Sequence, residues 1–270
     1  WALLIVLLNA VFFVGLSFLL ENPFSRLWEL TDGTIDTALF APAADAVLYR
    51  LDVGFGLNPL LRHPGMIIHP PVLYGGFALF LIPFGVAGSQ LIRADRTSEL
   101  LEHTRGWILA AWVLLTAGIT LGSWWSYDVL GWGGYWAWDP VETSSLLPWL
   151  SSTALLHSLL LERQRHIFRR FNLLLVLVSY VLVVFAIFIT RAGLLNSVHA
   201  FGESAISIPL AGLLIALFVL SLGLLIWRWQ SFPTTWEFKS TFSREAFFLY
   251  TNIILLSLVL VCLWGLLFPI

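Results

Sequence analysis

The chain has 270 residues, of which 59% are hydrophobic and 11% charged, with a formal net charge of −2 and a mean hydropathy of +0.88. A soluble domain carries about 25% charged residues, so these values exclude a soluble globular protein, a disordered chain and a basic nucleic-acid binder. The single cysteine, Cys262, excludes an internal disulfide framework and a Cys-rich zinc or iron–sulfur site.

About 20 mostly apolar residues make one membrane crossing. On that measure the sequence predicts an all-α fold, a polytopic membrane helical bundle of about seven transmembrane helices over 1–270, with no second domain. In chain order the spans are Trp1–Leu20, Met66–Ile92, Gly106–Ser123, Thr143–Leu161, Asn172–Thr190, Ile208–Trp229 and Ala246–Phe268. Pro83 is expected to kink the second. Trp1–Leu20 has no basic leader and no small-residue cleavage site, so it does not read as a signal peptide. Together with the apolar run that ends at Ile270, this leads us to expect a piece of a longer protein.

Lys and Arg in the connections set the expected orientation. Loops 93–105, 162–170 and 228–245 hold ten of them, whereas loops 21–65, 124–142 and 191–207 hold four. The first set is expected to be cytoplasmic and the second, with ten of the sixteen acids, to face outward. Segment 21–65 is then an outward loop and the largest extramembrane piece.

Six histidines are spread over this frame. His157 sits in the apolar run Leu155-Leu156-His157-Ser158-Leu159 of the fourth span. An ionisable group at that depth marks function, and a neutral imidazole is a common haem ligand; a hydrogen bond to a neighbouring helix is the plainer reading. His69 precedes Pro70-Pro71, which is expected to hold it out of the helical region in a fixed direction at the outer surface, either as a ligand or only as a residue at the helix start. His199 lies on the same outward side, so the two together suit axial binding of a flat metallo-macrocycle. His63, His103 and His166 read as interfacial or solvated.

The densest feature is Trp124–Glu142, an outward Trp-rich loop with five Trp, two Tyr, three Gly and no cation. An interfacial aromatic belt places one or two rings per helix end, and this surplus instead suits flat walls around a large π-system. Asp139-Pro140 reads as a helix start, with Asp as cap and Pro in the first turn. Asp128 and Glu142 are the other acids of the segment and are available to orient groups or to cap.

Gly131–Leu150, GWGGYWAWDPVETSSLLPWL, resembles the WWD signature of membrane haem-handling proteins, and most nearly the CcmF family of haem lyase subunits in cytochrome c maturation. Three further segments are similar to that family in order and spacing: Ile67–Tyr74, Thr153–Leu159, and Thr190–Gly193 with Ser197–Phe201. Tyr135 and Thr143 depart from the family's usual Trp and Asn, and a later span carrying a second intramembrane histidine has no counterpart here. The resemblance implies a lyase of the bacterial inner membrane, or an organellar equivalent, with segment 124–142 on the outer side. It further implies that His69 and His199 are the outward axial ligands of a transferred haem. Trp124, Trp125, Trp132, Trp136, Trp138 and Asp139 would form its surround, and His157 would be a ligand of a resident haem b that relays electrons to it. Implied partners are the haem chaperone CcmE, CcmH/CcmI-type subunits that handle thiols and present substrate, apocytochrome c, and quinol as electron donor. Arg191, the one cation of its outward loop, is the expected propionate partner, with a snorkelling interfacial role as the alternative. The competing functions are a CcmC-like haem exporter that loads a chaperone, a quinol-oxidising membrane cytochrome b without attachment activity, and a transporter with a histidine proton relay.

Overall fold

The computed structural model describes residues 1–50, 56–95, 99–165, 167–199, 205–232 and 240–268, with the side chains of 99–103 and 163–165 set aside. His166 and the side chain of His103 therefore lie outside the described residues, as do Ala200 and Phe201.

Among the described residues, eight α-helices form the bundle: α1 (Ala2–Leu19), α2 (Pro64–Leu79), α3 (Leu81–Arg93), α4 (Glu99–Val129), α5 (Pro140–Arg165), α6 (Arg169–Ala192), α7 (Ser207–Arg228) and α8 (Arg244–Leu267). By length and apolarity they supply seven candidate membrane spans among the described residues, because α2 and α3 are two halves of one. The break between those halves is at Phe80, three residues before Pro83. Pro83 causes it all the same: its ring has no N–H to give Leu79 and crowds that carbonyl, so the strain appears one turn earlier.

Segment 21–65 is not purely a loop. Strands β1 (Arg26–Glu29), β2 (Ile35–Ala38) and β3 (Val47–Leu48) form a small antiparallel sheet in the order β2-β1-β3. The turn from β1 to β2 uses Gly33 at φ +78°, and the Asp32 carboxylate accepts from the Thr34 N–H and hydroxyl. A non-glycine residue is strained at that φ, and the hydrogen bonds from Thr34 hold the Asp32 carboxyl below its usual pKa.

Helices α5 and α6 form the buried centre. Ser151 and Ser179 hydrogen-bond across them at 2.9 Å, and Asn172 joins Ser158 to Glu162 near the other end. Helices α4 and α5 are registered by a reciprocal lock. The Trp112 indole donates to Thr153 at 2.9 Å and the Trp149 indole to Thr116 at 2.8 Å, while each threonine donates to the carbonyl of the tryptophan one turn before it. The two rings stack 6.0 Å apart at 22°. Trp149→Phe is expected to cost about 0.6–1.7 kcal/mol, the range for one interhelical hydrogen bond in a membrane. A double-mutant cycle with Thr116→Val, read by unfolding, should find the two changes non-additive.

Successive spans alternate in direction, so the starts of α2 and α5 and the ends of α4 and α6 meet at one end of the bundle, called here the Trp end. The opposite end is basic: Arg169 donates to the Asp95 carbonyl, Arg170 to the Phe232 carbonyl and Arg228 to the Ile92 carbonyl.

Candidate functional site

His69 is inside a helix, contrary to the sequence expectation. A turn at Pro59–Arg62 leads into His63, whose Nδ1 accepts from the Gly65 N–H at 3.1 Å, and Pro64 takes the first helical position. Helix α2 therefore starts before Pro70 and Pro71, which lie in its interior. What aims His69 is α4: its Nδ1–H donates to the Gly118 carbonyl at 2.7 Å. The ring fits only because position 122 is glycine, since a Cβ there would stand 2.7 Å from His69 Cε1. One turn along, a Cβ on Gly118 would stand 2.7 Å from Leu73 Cα, and a Cβ on Gly76 2.8 Å from the Leu115 nitrogen. Small residues let these two backbones approach closely, as transmembrane helix pairs require.

His199 follows α6 and is held by Asp139, sixty residues away in sequence. One carboxylate oxygen of Asp139 accepts from His199 Nδ1 at 3.1 Å, from the Ser197 hydroxyl at 2.6 Å and from the Val141 N–H at 3.0 Å; the other accepts from the Val198 N–H at 3.3 Å. Asp139 thus caps α5, as expected, and also positions the imidazole. Burial alone would raise its pKa, but the hydrogen bonds from His199, Ser197 and Val141 outweigh that and hold the carboxyl below its usual range. A depressed carboxylate contributes above its ordinary pKa and is lost as pH falls through the lowered value, so the tie is intact at neutral pH.

With Nδ1 committed on both rings, each presents Nε2, and among the described residues neither Nε2 makes a hydrogen bond. A metal-binding imidazole requires this: one nitrogen donates to a carbonyl or carboxylate, and the other is left for the ion. His69 and His199 line one small cavity of about 40 Å³ with Gly122, Trp136, Glu142 and Ser145. Among the described residues the buried Trp136 indole Nε1 has no hydrogen-bond partner. Trp125 is 4% exposed, donates to the Leu60 carbonyl and packs edge-on against His199 with ring centroids 5.9 Å apart.

The remaining aromatic residues stand differently from expectation. Helix α4 runs on to Val129, so Trp124 and Trp125 are helical and the loop proper begins at Leu130. The indole of Trp124 meets His63, while Trp132 and Trp138 are exposed at 44% and 67%. Tyr135, stacked 4.3 Å from Tyr127, pins the loop to α4. Glu142 accepts from the Ala137 N–H and so serves the loop backbone. Arg191 is not with the histidine pair. It stands beside the Tyr74 hydroxyl and lines a different cavity.

His157 lies on α5 twelve residues beyond Ser145, about 18 Å along the helix axis. It faces Phe248 of α8, with ring centroids 5.7 Å apart, and among the described residues its buried Nδ1 has no hydrogen-bond partner. The two histidine levels are therefore separated by slightly more than one membrane leaflet.

The family model described as "Cytochrome C assembly protein" matches residues 2–196. The chain belongs to the cytochrome c assembly protein family. It is 45% identical over 217 residues to the probable cytochrome c-type biogenesis protein NrfE of Escherichia coli K12, covering 80% of this chain and 39% of that protein. To Escherichia coli CcmF it is 43% identical over 220 residues, covering 80% and 33% respectively. A solved structure named Cytochrome c Heme Lyase CcmF superposes with a TM-score of 0.63 at 32% identity, over 77% of this chain and 31% of that one. The chain thus spans about a third to two-fifths of the length of these relatives.

In this assembly-family chain, sequence reasoning missed two features of the Trp end. His63, expected to be interfacial or solvated, sets Nε2 3.3 Å from the Asp128 carboxylate and so links the start of α2 to the last turn of α4. The glycines Gly118 and Gly122 that seat His69 also went unread, although their Gly-x-x-x-Gly spacing is a recognisable signal for close helix packing. A haem fits the donor set of both levels. Among the described residues, His157 offers one imidazole whose buried Nδ1 has no hydrogen-bond partner, and the Trp end offers two oriented imidazoles and an unpartnered indole N–H.

Proposed function

We propose that the chain is the haem-receiving membrane part of a cytochrome c haem lyase. His69 and His199 ligate the iron of the haem being transferred, and Trp136 offers its indole N–H to the haem edge. The observation that carries this reading is that both Nδ1 atoms are tied while both Nε2 atoms are left over. The 40 Å³ between them holds about one water. Haem, as cargo, then enters only when the loop from Leu130 to Asp139 swings aside, and the Tyr127–Tyr135 stack and Asp139 are the contacts that return it.

In this reading a carrier of the CcmE type delivers haem at the Trp end, which faces the periplasm, and CcmH/CcmI-type subunits present apocytochrome c. Each reduced substrate thiol adds across a haem vinyl, forming a C–S bond while the proton goes to the terminal vinyl carbon. The chain supplies no thiol to that step; it orients and ligates. His157 would hold a resident haem b, which when bound would supply one-electron chemistry toward the transferred iron, with quinol as the source. Arg191 serves a propionate only if it leaves Tyr74.

Co-expression of the full-length protein with an apocytochrome bearing Cys-x-x-Cys-His tests the activity. His69→Ala and His199→Ala should each abolish covalent haem in the substrate. If attachment persists in both, the lyase assignment fails and a haem-export role takes its place. For the orientation, a cysteine at Gly133 should react with an impermeant reagent from the periplasmic side and one at Arg169 should not; the opposite pattern would invert the topology.

A further inference from the structure

Helix α1 packs on the bundle by its first half only. Val6 and Ile5 sit where Gly85 and Gly88 of α3 lack a Cβ, and Asn9 accepts from the Tyr180 hydroxyl at 3.2 Å. Beyond Asn9 the helix leaves a cavity of about 640 Å³ between itself and α2, α6 and α7. Its walls are apolar from Phe13, Phe77 and Val183, and Tyr180 and Arg191 mark its two levels on α6. Those two residues are eleven apart, about 16 Å, or half the roughly 30 Å hydrocarbon core of a bilayer. At the Trp-end level the lining turns polar. Arg191 stands beside the Tyr74 hydroxyl, and Glu21 lines the same cavity. The cavity shares no lining residue with the pocket of His69 and His199.

We propose that this cavity is a phospholipid site that takes one acyl chain of the leaflet at the Trp end, with the lipid phosphate on Arg191 and Tyr74. The volume is that of a small-molecule pocket, the depth is one leaflet, and the guanidinium is the side chain best suited to a phosphate. The acid beside it matches an amine-bearing, zwitterionic head group better than a purely anionic one. This site goes beyond the lyase reading and does not depend on it.

Native mass spectrometry of the detergent-purified, delipidated full-length protein, after incubation with vesicles of palmitoyl-oleoyl phosphatidylethanolamine, tests this. One phosphatidylethanolamine per protein should be retained, and Arg191→Ala should weaken retention by about tenfold or more, as expected for loss of a charge-assisted contact. Ala78→Phe, which fills the cavity and keeps Arg191 in place, should abolish retention. Vesicles of phosphatidylglycerol should give weaker retention, and equal or stronger retention overturns the head-group assignment. The site itself is overturned if the wild-type protein keeps no phospholipid, if it keeps a quinone instead, or if Arg191→Ala loses haem while its lipid stays bound.

Discussion

An Asp139→Ala variant of the full-length protein is expected to lose transferred haem from the Trp end by about 10–100-fold, the usual consequence of removing the group that orients a metal-binding imidazole. Four hydrogen bonds disappear at once: those from His199, Ser197, Val198 and Val141. The Val141 bond caps α5, so stability should also fall by about 1 kcal/mol. Asp139→Asn separates the two effects. An amide oxygen can still cap the helix and accept from His199, but it offers only one acceptor atom where the carboxylate uses two. The variant should fold near normally and bind haem at an intermediate level. Haem content by absorbance, set against the unfolding midpoint of the same samples, reads both. Full haem binding in Asp139→Ala would mean that His199 is not positioned by this carboxylate.

Gly122→Ala should also strip the site of haem, by a different route. The added methyl would stand 2.7 Å from His69 Cε1, so the ring must rotate away and give up its bond to Gly118. Gly118→Ala is predicted to be worse for folding, at about 1–3 kcal/mol, as for overpacked contacts. Its methyl meets Leu73 Cα, a backbone atom that cannot turn aside. Gly106→Ala on the same helix is the control. Nothing lies within 4 Å of a Cβ there, so the change should be neutral or stabilise by up to about 1 kcal/mol through helix propensity. Loss of haem in Gly122→Ala with an unchanged unfolding midpoint supports the ring-seating account, whereas equal haem binding in all three variants contradicts it.

The spans were legible because apolar length is a one-dimensional property, and the segments read from the sequence overlap the helices within a few residues at most ends. The start of α5 was legible for the same reason: Asp139 and Pro140 are adjacent and the cap is local. The second span was read from Met66, two residues after Pro64, but His69 was expected outside helical geometry because two signals compete. Pro70-Pro71 is conspicuous, but His63 acts through Gly65 and Pro64 through its own φ, six residues earlier. The β1–β2 hairpin was carried by Asp32-Gly33 between alternating residues, a signal outweighed by the apolarity of its surroundings. The His199–Asp139 tie and the seat of His69 on α4 join residues 60 and 49 apart, and no local pattern encodes such pairings. Arg191 shows the converse. It is near His199 in sequence, yet it is turned toward Tyr74, because a residue at a helix end follows the face of its helix rather than the loop beyond it.

The account rests on two separate haem levels, one at the Trp end and one at His157. Reduced-minus-oxidised spectra of the purified full-length protein test this most directly. The wild-type protein should show a b-type haem signal that His157→Ala removes and the double variant His69→Ala/His199→Ala retains. A wild-type protein with no Soret band, or a His157→Ala variant with an undiminished signal, would contradict it.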